Sequence, residues 1–309
     1  MPTSTQGSGG DKMARTLKEK LGEKWDSLKE VSRYVWHHKM GRVGVIILTF
    51  LILMALFPGL FTKYTPEWTS DETFVPASWD HPCGIDQEGK DIWAQIVYGT
   101  RISLAVGFIA ALLTVTIGAL VGTVAGYYGG IIDEILVFIS DSIMMLPSLL
   151  LLIVIAALFS NVWNIWYTII VIALISWPST ARMVRAQTLQ LKNRTYVEAA
   201  VVLGASRRRI IFKHILPNTV PLLFARATIQ VAGFIVTVAS LTFLGLGDPH
   251  NPDWGYVMYT ANKNMMMIVM KGMWQWIVVP GVMIALAVIA FVCLGEALQD
   301  YLNPKLRRR

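Results

Sequence analysis

Charge is what this sequence has least of. Of its 309 residues only 15% are Asp, Glu, Lys or Arg, while 54% are hydrophobic. A soluble domain carries about 25% charged residues, so a chain of this length with so few cannot cover its surface against water. Cysteine is nearly missing: Cys83 and Cys293 stand alone and far apart, which excludes a disulfide-built secreted scaffold. There is no Cys-x-x-Cys, no His-Glu-x-x-His and no cluster among the five histidines, so no metal site is expected. A Gly-x4-Gly-Lys-Ser/Thr phosphate loop is also missing, so the chain is not expected to hold ATP in that way. The apolar content excludes wholesale disorder. What remains is an integral membrane protein.

Long uncharged runs are present in its place. A helix needs about 20 apolar residues to cross a bilayer core. Such runs occupy Val43 to Thr62, Ile102 to Ile132, Ser142 to Ala181, Ala227 to Gly247 and Gly272 to Gly295. The third is too long for one crossing and is predicted to turn at Ser160-Asn161-Val162-Trp163-Asn164, which makes six spans in an all-α membrane fold. The basic residues then fix the expected orientation. Of 27 Lys and Arg, nine lie between Lys12 and Arg42, eight between Arg182 and Lys213, and four between Lys305 and Arg309. By the positive-inside rule both termini and the Arg182–Lys213 loop are expected in the cytoplasm, which accounts for the net charge of +7 without nucleic acid as a partner.

The expected organisation is a cytoplasmic segment 1–42, a first span 43–62, an extracytoplasmic loop 63–90, a five-helix core 91–304 containing a loop 186–217, and a basic tail 305–309. The polar first 40 residues lack the pattern of a cleavable signal. Leu17, Leu21, Trp25, Leu28, Val31 and Val35 recur at steps of three and four, which predicts an amphipathic helix lying on the membrane surface or packed on the protein. Six of the fourteen methionines fall between Met258 and Met273, on a predicted outer segment. Near the spans the ionisable side chains are Asp133, Glu134, Asp141 and Arg226. An intramembrane carboxylate is a functional candidate by default, and Asp141 is also readable as a residue bonded to a neighbouring helix. Pro147, Pro178, Gly233 and Gly245 are candidate bend points. No catalytic cluster of acid, base and nucleophile is present within the spans, so no chemistry is expected of the chain itself.

The most informative stretch is the basic loop, Glu198-Ala199-Ala200-Val201-Val202-Leu203-Gly204-Ala205-Ser206-Arg207, followed by His214-Ile215-Leu216-Pro217-Asn218. It predicts a short helix with small residues that let another surface approach. Gly204 is able to end it in a left-handed conformation, and Pro217 is expected to break the pattern and restart the chain as the fifth span.

Glu-Ala-Ala-x3-Gly followed by Ile-Leu-Pro resembles the coupling motif of permease subunits of prokaryotic ABC importers. The His-Ile-Leu-Pro-Asn form is similar to the branch that serves dipeptides, oligopeptides and nickel. His81-Pro82-Cys83-Gly84-Ile85-Asp86-Gln87-Glu88-Gly89-Lys90-Asp91 and Tyr98-Gly99-Thr100-Arg101-Ile102-Ser103-Leu104 resemble segments of the C-type subunits. Ala125-Gly126-Tyr127-Tyr128-Gly129-Gly130, Ser176-Trp177-Pro178 and Leu241-Thr242-Phe243-Leu244-Gly245-Leu246-Gly247 fit as well. The chain departs from the pattern at Ile85, Lys90 and Asn262-Lys263-Asn264-Met265, all on the outer side, where substrate or binding protein is met. The resemblance implies a type I ABC importer (MetI-like) permease fold in the prokaryotic cell membrane. It implies that Glu198, Ala199, Ala200, Leu203, Gly204, Ala205 and Arg207 dock on an ATPase. The implied partners are a B-type permease subunit, two ATPase subunits that bind ATP and Mg, and an extracellular substrate-binding protein; this chain would hold no cofactor. Asp141, Trp177 and Met258 are candidates for the translocation path. Di- and oligopeptides are the expected cargo of an ATP-driven, alternating-access importer, oligosaccharides are the alternative since the outer tryptophans suit sugar rings, nickel stays open, and a stand-alone secondary transporter or channel is the rival from another class.

Overall fold

The computed structural model describes residues 29–160 and 162–302. After a helical segment 29–37, it consists of α1 (Lys39–Leu56), α2 (Ile92–Tyr128), α3 (Gly130–Met144), α4 (Ser148–Leu158), α5 (Ile165–Lys192), α6 (Thr195–Val202), α7 (Arg207–Leu246), α8 (Trp254–Lys263), α9 (Met265–Lys271) and α10 (Gln275–Leu302). No strand occurs among the described residues; Val75–Ile85 and Ile85–Asp91 form isolated bridges. Helices α1, α2, α5, α7 and α10 are each long and apolar enough to cross a bilayer, and α3 with α4 qualifies as one span bent by 79°.

The bent pair must cross. Gly118, Gly122 and Gly126 of α2 meet Thr180, Ala181 with Val184, and Arg185 with Thr188 of α5 in ascending order, so the two helices run parallel. Lys192 Nζ donates to Tyr127 O at 2.9 Å, placing both C-terminal ends together. The chain between them has to return the full length of α5, about 42 Å at 1.5 Å per residue, and among the described residues α3–α4 is the only helical segment there. Helices α1 and α10 are antiparallel: Gly41 of α1 meets Ala297 of α10 and Gly44 meets Ala290, while His38 pairs with Asp300 at 3.3 Å. Both ends of the described chain therefore lie at the end of the bundle that holds Lys192 and Arg207.

Several boundaries differ from the sequence expectation, each for a local reason. The second span starts at Ile92 rather than Ile102, because Asp91 Oδ1 caps α2 by accepting the Ala94 N–H at 2.6 Å. It stops at Tyr128 because Gly129 and Gly130 take φ of +66° and +55°. The next helix starts at Gly130, not Ser142, and carries Asp133 and Asp141 in its own turns, each paired with an arginine of α5. The expected turn after the bent pair is present: α4 ends at Leu158, and Asn164 caps α5 by accepting the Trp166 and Tyr167 N–H groups; Asn161 lies outside the described residues. Pro217 does not restart the chain. Helix α7 already begins at Arg207 and passes through a π turn at Ile211–Ile215, whose widened register accommodates a residue without an N–H. The expected 186–217 loop is thus mostly helix. Of the predicted amphipathic N-terminal helix, Leu17, Leu21, Trp25 and Leu28 lie outside the described residues, as does the tail 305–309. Val35 is buried against the start of α1.

At the end opposite Lys192, α8 is anchored by Trp254, whose backbone N–H donates to Ser103 Oγ (3.2 Å) and whose indole N–H donates to Ile96 O (3.1 Å). Asp253 caps α8, accepting the Tyr256 N–H at 2.8 Å and the Thr242 hydroxyl at 3.2 Å. Burial outweighs those bonds and pushes its carboxyl up to about 6. The folded protein therefore holds this proton more tightly than the unfolded chain, whose carboxyl titrates near about 4. Stability is highest below that value, falls as pH rises through the window up to about 6, and is flat above it. Thermal melts at pH 5 and pH 7.5 should show the wild type less stable at the higher pH. Asp253→Asn, which keeps the cap without the charge, should reduce that difference, the remainder coming from the buried Asp86 carboxyl, whose pKa burial also raises.

Candidate functional site

Helix α6 stands as a knob beyond the paired ends of α2 and α5. Val197 is its anchor, buried in a small apolar cluster with Leu191, Ile210 and Ile215, against Tyr127 and Ala205. Arg207 lies over the Tyr128 ring at 5.6 Å, and Lys192 over Tyr127 at the same distance. Gly204 closes the helix with φ +77°, its N–H donating to Val201 O, while the Ala205 N–H reaches back to Ala200 O. This is the left-handed stop that a glycine permits. Ser206 then caps α7 through the Arg209 N–H.

The tip of the knob faces outward. Val202 and Leu203 are 87% and 86% exposed, Val201 54%, and a Cβ added at Gly204 would meet nothing within 4 Å. Glu198 and Ala199 are exposed on the same helix, and Ala200 and Ala205 are half-buried. The result is an exposed apolar tip on a clamped base, flanked by Arg207, Arg208 and Arg209, and an exposed apolar patch of this kind is a candidate interaction surface. Sequence reading identified these residues but not what holds them: the Tyr127–Tyr128 platform lies about 70 positions earlier, and only the parallel packing of α2 on α5 brings it here.

Within the bundle, Arg185 forms two bonds of 2.5 Å with the Asp133 carboxylate, and Arg182 pairs with Asp141 at 2.5 Å. Asp141 is thus bonded to a neighbouring helix. Trp177 is buried on α5, beside the α2 contact at Gly118, and Met258 is half-buried on α8 near Gly281. None of these three lines the cavity of about 420 Å³ between α4, α5 and α7, whose polar wall is Ser148, Ser176, Ser179, Arg226, Gln230 and Thr237. Arg226 was visible in the sequence as a charge inside an apolar run. Gln230 was missed, although its spacing of four from Arg226 puts both on one helix face.

The outer segment 63–91 is tied down by its own polar residues. His81 Nδ1 lies 2.8 Å from Asp91 Oδ2, and its ring stacks with Tyr64 and Trp68. The Asp86 carboxylate accepts the Glu88 and Lys90 N–H groups and the Gln95 amide, yet burial raises its pKa. Burial also pushes the Cys83 thiol up to about 12, so it stays protonated. Ile85 is only 3% exposed between Val75 and Asp91, so its departure from the C-type pattern is a matter of packing and not of an outer contact. Asn264 Nδ2 donates to Gln87 Oε1, and Lys271 Nζ to Phe74 O, joining this segment to α9 and its N-terminal edge.

Comparison with known proteins adds to this geometry. The family of binding-protein-dependent transport system inner membrane components matches residues 115–308, and the N-terminal TM domain of oligopeptide transport permease C matches residues 28–79. The oligopeptide transport system permease protein OppC of Bacillus subtilis is 36% identical over 293 residues, covering 94% of each chain. The dipeptide transport system permease protein DppC of the same organism is 37% identical over 302 residues, 94% of this chain and 92% of that one. The glutathione transport system permease protein GsiD of Pectobacterium atrosepticum is 36% identical over 279 residues, 89% of this chain and 90% of the relative. A six-span helical bundle with an exposed, clamped knob is what such a subunit needs, and the chain belongs to the family of binding-protein-dependent transport system inner membrane components, as a membrane-embedded permease subunit of an ABC importer.

Proposed function

We propose that the chain is one permease half of an ATP-driven importer of di- and oligopeptides, paired with a B-type homologue. Two ABC ATPase subunits sit at the end that bears Lys192, Arg207 and both described chain ends. That end faces the cytoplasm, in keeping with the positive-inside distribution. An extracellular substrate-binding protein docks at the opposite end, over the 63–91 segment and α8. The observation that carries the reading is the outward apolar tip Val201–Gly204 on a base fixed to α2, α5 and α7.

ATP and Mg are held by the ATPases, and this chain carries no cofactor. When the ATPase pair closes, a surface seated on Glu198, Ala199, Ala200, Leu203, Gly204, Ala205 and Arg207 moves with it. The clamp passes that displacement into α5 and α7, and the break at Pro147 and the left-handed Gly245 in α7 give the spans places to bend. Access then alternates between the two sides. Asp141, Trp177 and Met258 remain proposed path residues, and the cavity between α4, α5 and α7 joins them. The names of the relatives refer to oligopeptides, dipeptides and glutathione, which favours peptides over oligosaccharides as cargo.

The test is reconstitution of the complex copurified with this subunit in proteoliposomes, with its binding protein outside. ATP-dependent accumulation of labelled tripeptides is expected, and none of maltotriose. Accumulation of the sugar alone would overturn the cargo assignment. Uptake by this chain without any ATPase bound would overturn the whole reading.

A further inference from the structure

Arg226 is the one ionisable residue on the wall of the cavity between α4, α5 and α7. It sits well inside the apolar part of α7, about 15 Å along the helix from Leu216 and about 22 Å from Leu241. An arginine stays charged under all conditions that a protein meets, and a charge at this depth is costly unless it is matched. Two arginines of α5 have their anions, Arg182 with Asp141 and Arg185 with Asp133, and Arg101 of α2 donates its Nε–H to Ala55 O of α1. Arg226 Nε is buried and has no hydrogen-bond partner among the described residues.

One turn further along the same face, Gln230 is 8% exposed. Its amide nitrogen donates to Thr180 Oγ1 at 3.1 Å, which fixes the side chain, and its carbonyl oxygen is buried without a partner. The site thus offers a guanidinium donor and a held carbonyl acceptor, neighbours at the i and i+4 spacing. The complement of that pair is an anion with an N–H beside it. A neutral sugar supplies hydroxyls but no countercharge. The end of a peptide supplies both, since the C-terminal carboxylate and the amide N–H of the same residue are two bonds apart across one Cα. Ser148, Ser176, Ser179 and Thr237 leave the remaining wall polar enough for a hydrated backbone to pass.

We infer that Arg226 and Gln230 form a way-station in the membrane for the free C-terminal carboxylate of a peptide in transit, Arg226 binding the carboxylate and Gln230 Oε1 the adjacent N–H. This deepens the peptide reading and rests on it. The site selects by charge at the terminus, independently of the side chains that the binding protein accepts.

The test uses the whole reconstituted transporter and two probes, trialanine with a free carboxylate and trialanine amide. Each variant is compared with wild type for each probe, so the binding protein's own preference cancels. Arg226→Met is expected to lower uptake of the free acid roughly tenfold or more, the size of a lost charged hydrogen-bond pair, with amide uptake unchanged. Arg226→Lys, which keeps the charge but not the planar fork, should retain part of the preference, and it carries the test if Arg226→Met does not assemble. Equal losses for both probes would overturn the inference, since they would mean that Arg226 is a structural residue or is countered by a carboxylate of the partner permease. Unchanged uptake of both would overturn it as well. Failure of wild type to take up either peptide while importing maltotriose would instead sink the peptide reading itself.

Discussion

Leu203→Asp should leave the permease folded and membrane-inserted while cutting ATP-driven uptake by the assembled transporter roughly thirtyfold. Leu203 is 86% exposed, so the substitution removes almost no contact within this chain. In the proposed assembly the same residue would sit at the crown of the knob, where a partner groove would exclude water. A carboxylate buried there without a partner costs about 2 kcal/mol or more, the scale of an interface hot spot. Gly204→Asp acts at the next position by a second route. Its Cβ would meet nothing in this chain, but φ +77° strains any side chain that replaces glycine, by about 1 kcal/mol. Both variants should elute as the native permease on size exclusion, fail to copurify the ATPase subunits, and lose uptake. If both keep their ATPases and full uptake, the knob is not the docking surface.

Gly122→Val should have the largest effect on the fold. A Cβ at Gly122 would lie 2.3 Å from Ala181 O and 2.9 Å from Val184 Cβ, so even alanine has no room. The obstacle is backbone, which cannot rotate away, and α2 and α5 would have to separate along the Gly118–Gly122–Gly126 stripe. Overpacking of this kind costs about 3 kcal/mol or more. That separation also pulls Lys192 from Tyr127, so the knob loses part of its base. Gly233→Ala is the matched control: on α7 it faces the open cavity, and its Cβ would meet nothing within 4 Å. Melting of the detergent-solubilised protein should show Gly122→Val strongly destabilised or absent from the membrane fraction, with Gly233→Ala near wild type. Comparable melting temperatures would show that α2 and α5 tolerate a wider spacing than the close approach implies.

The spans were legible because hydrocarbon imposes a composition that water does not, and a run such as Val43 to Thr62 has no soluble explanation. The knob was legible for a different reason: a left-handed stop demands glycine, and Gly204 marks it in the chain. What the sequence hid was every feature that depends on two distant segments. The helix Gly130–Met144 was concealed because Asp133, Glu134 and Asp141 lower its apparent apolarity. The two aspartates are met there by Arg182 and Arg185, which arrive from α5. Pro217 reads as a breaker in isolation, yet a π turn upstream lets the helix run through it.

From its sequence alone this protein was fixed as a multispanning membrane protein with a small-residue handle at its basic end, since burial in lipid and a positive φ leave direct marks on residue choice. The tertiary structure alone decided that α2 and α5 run parallel, that α3 and α4 together make one bent crossing, and that Arg226 and Gln230 share a cavity wall. Those outcomes depend on which helix faces pack and which charges meet, and such pairings are energies between segments that no single stretch of chain encodes.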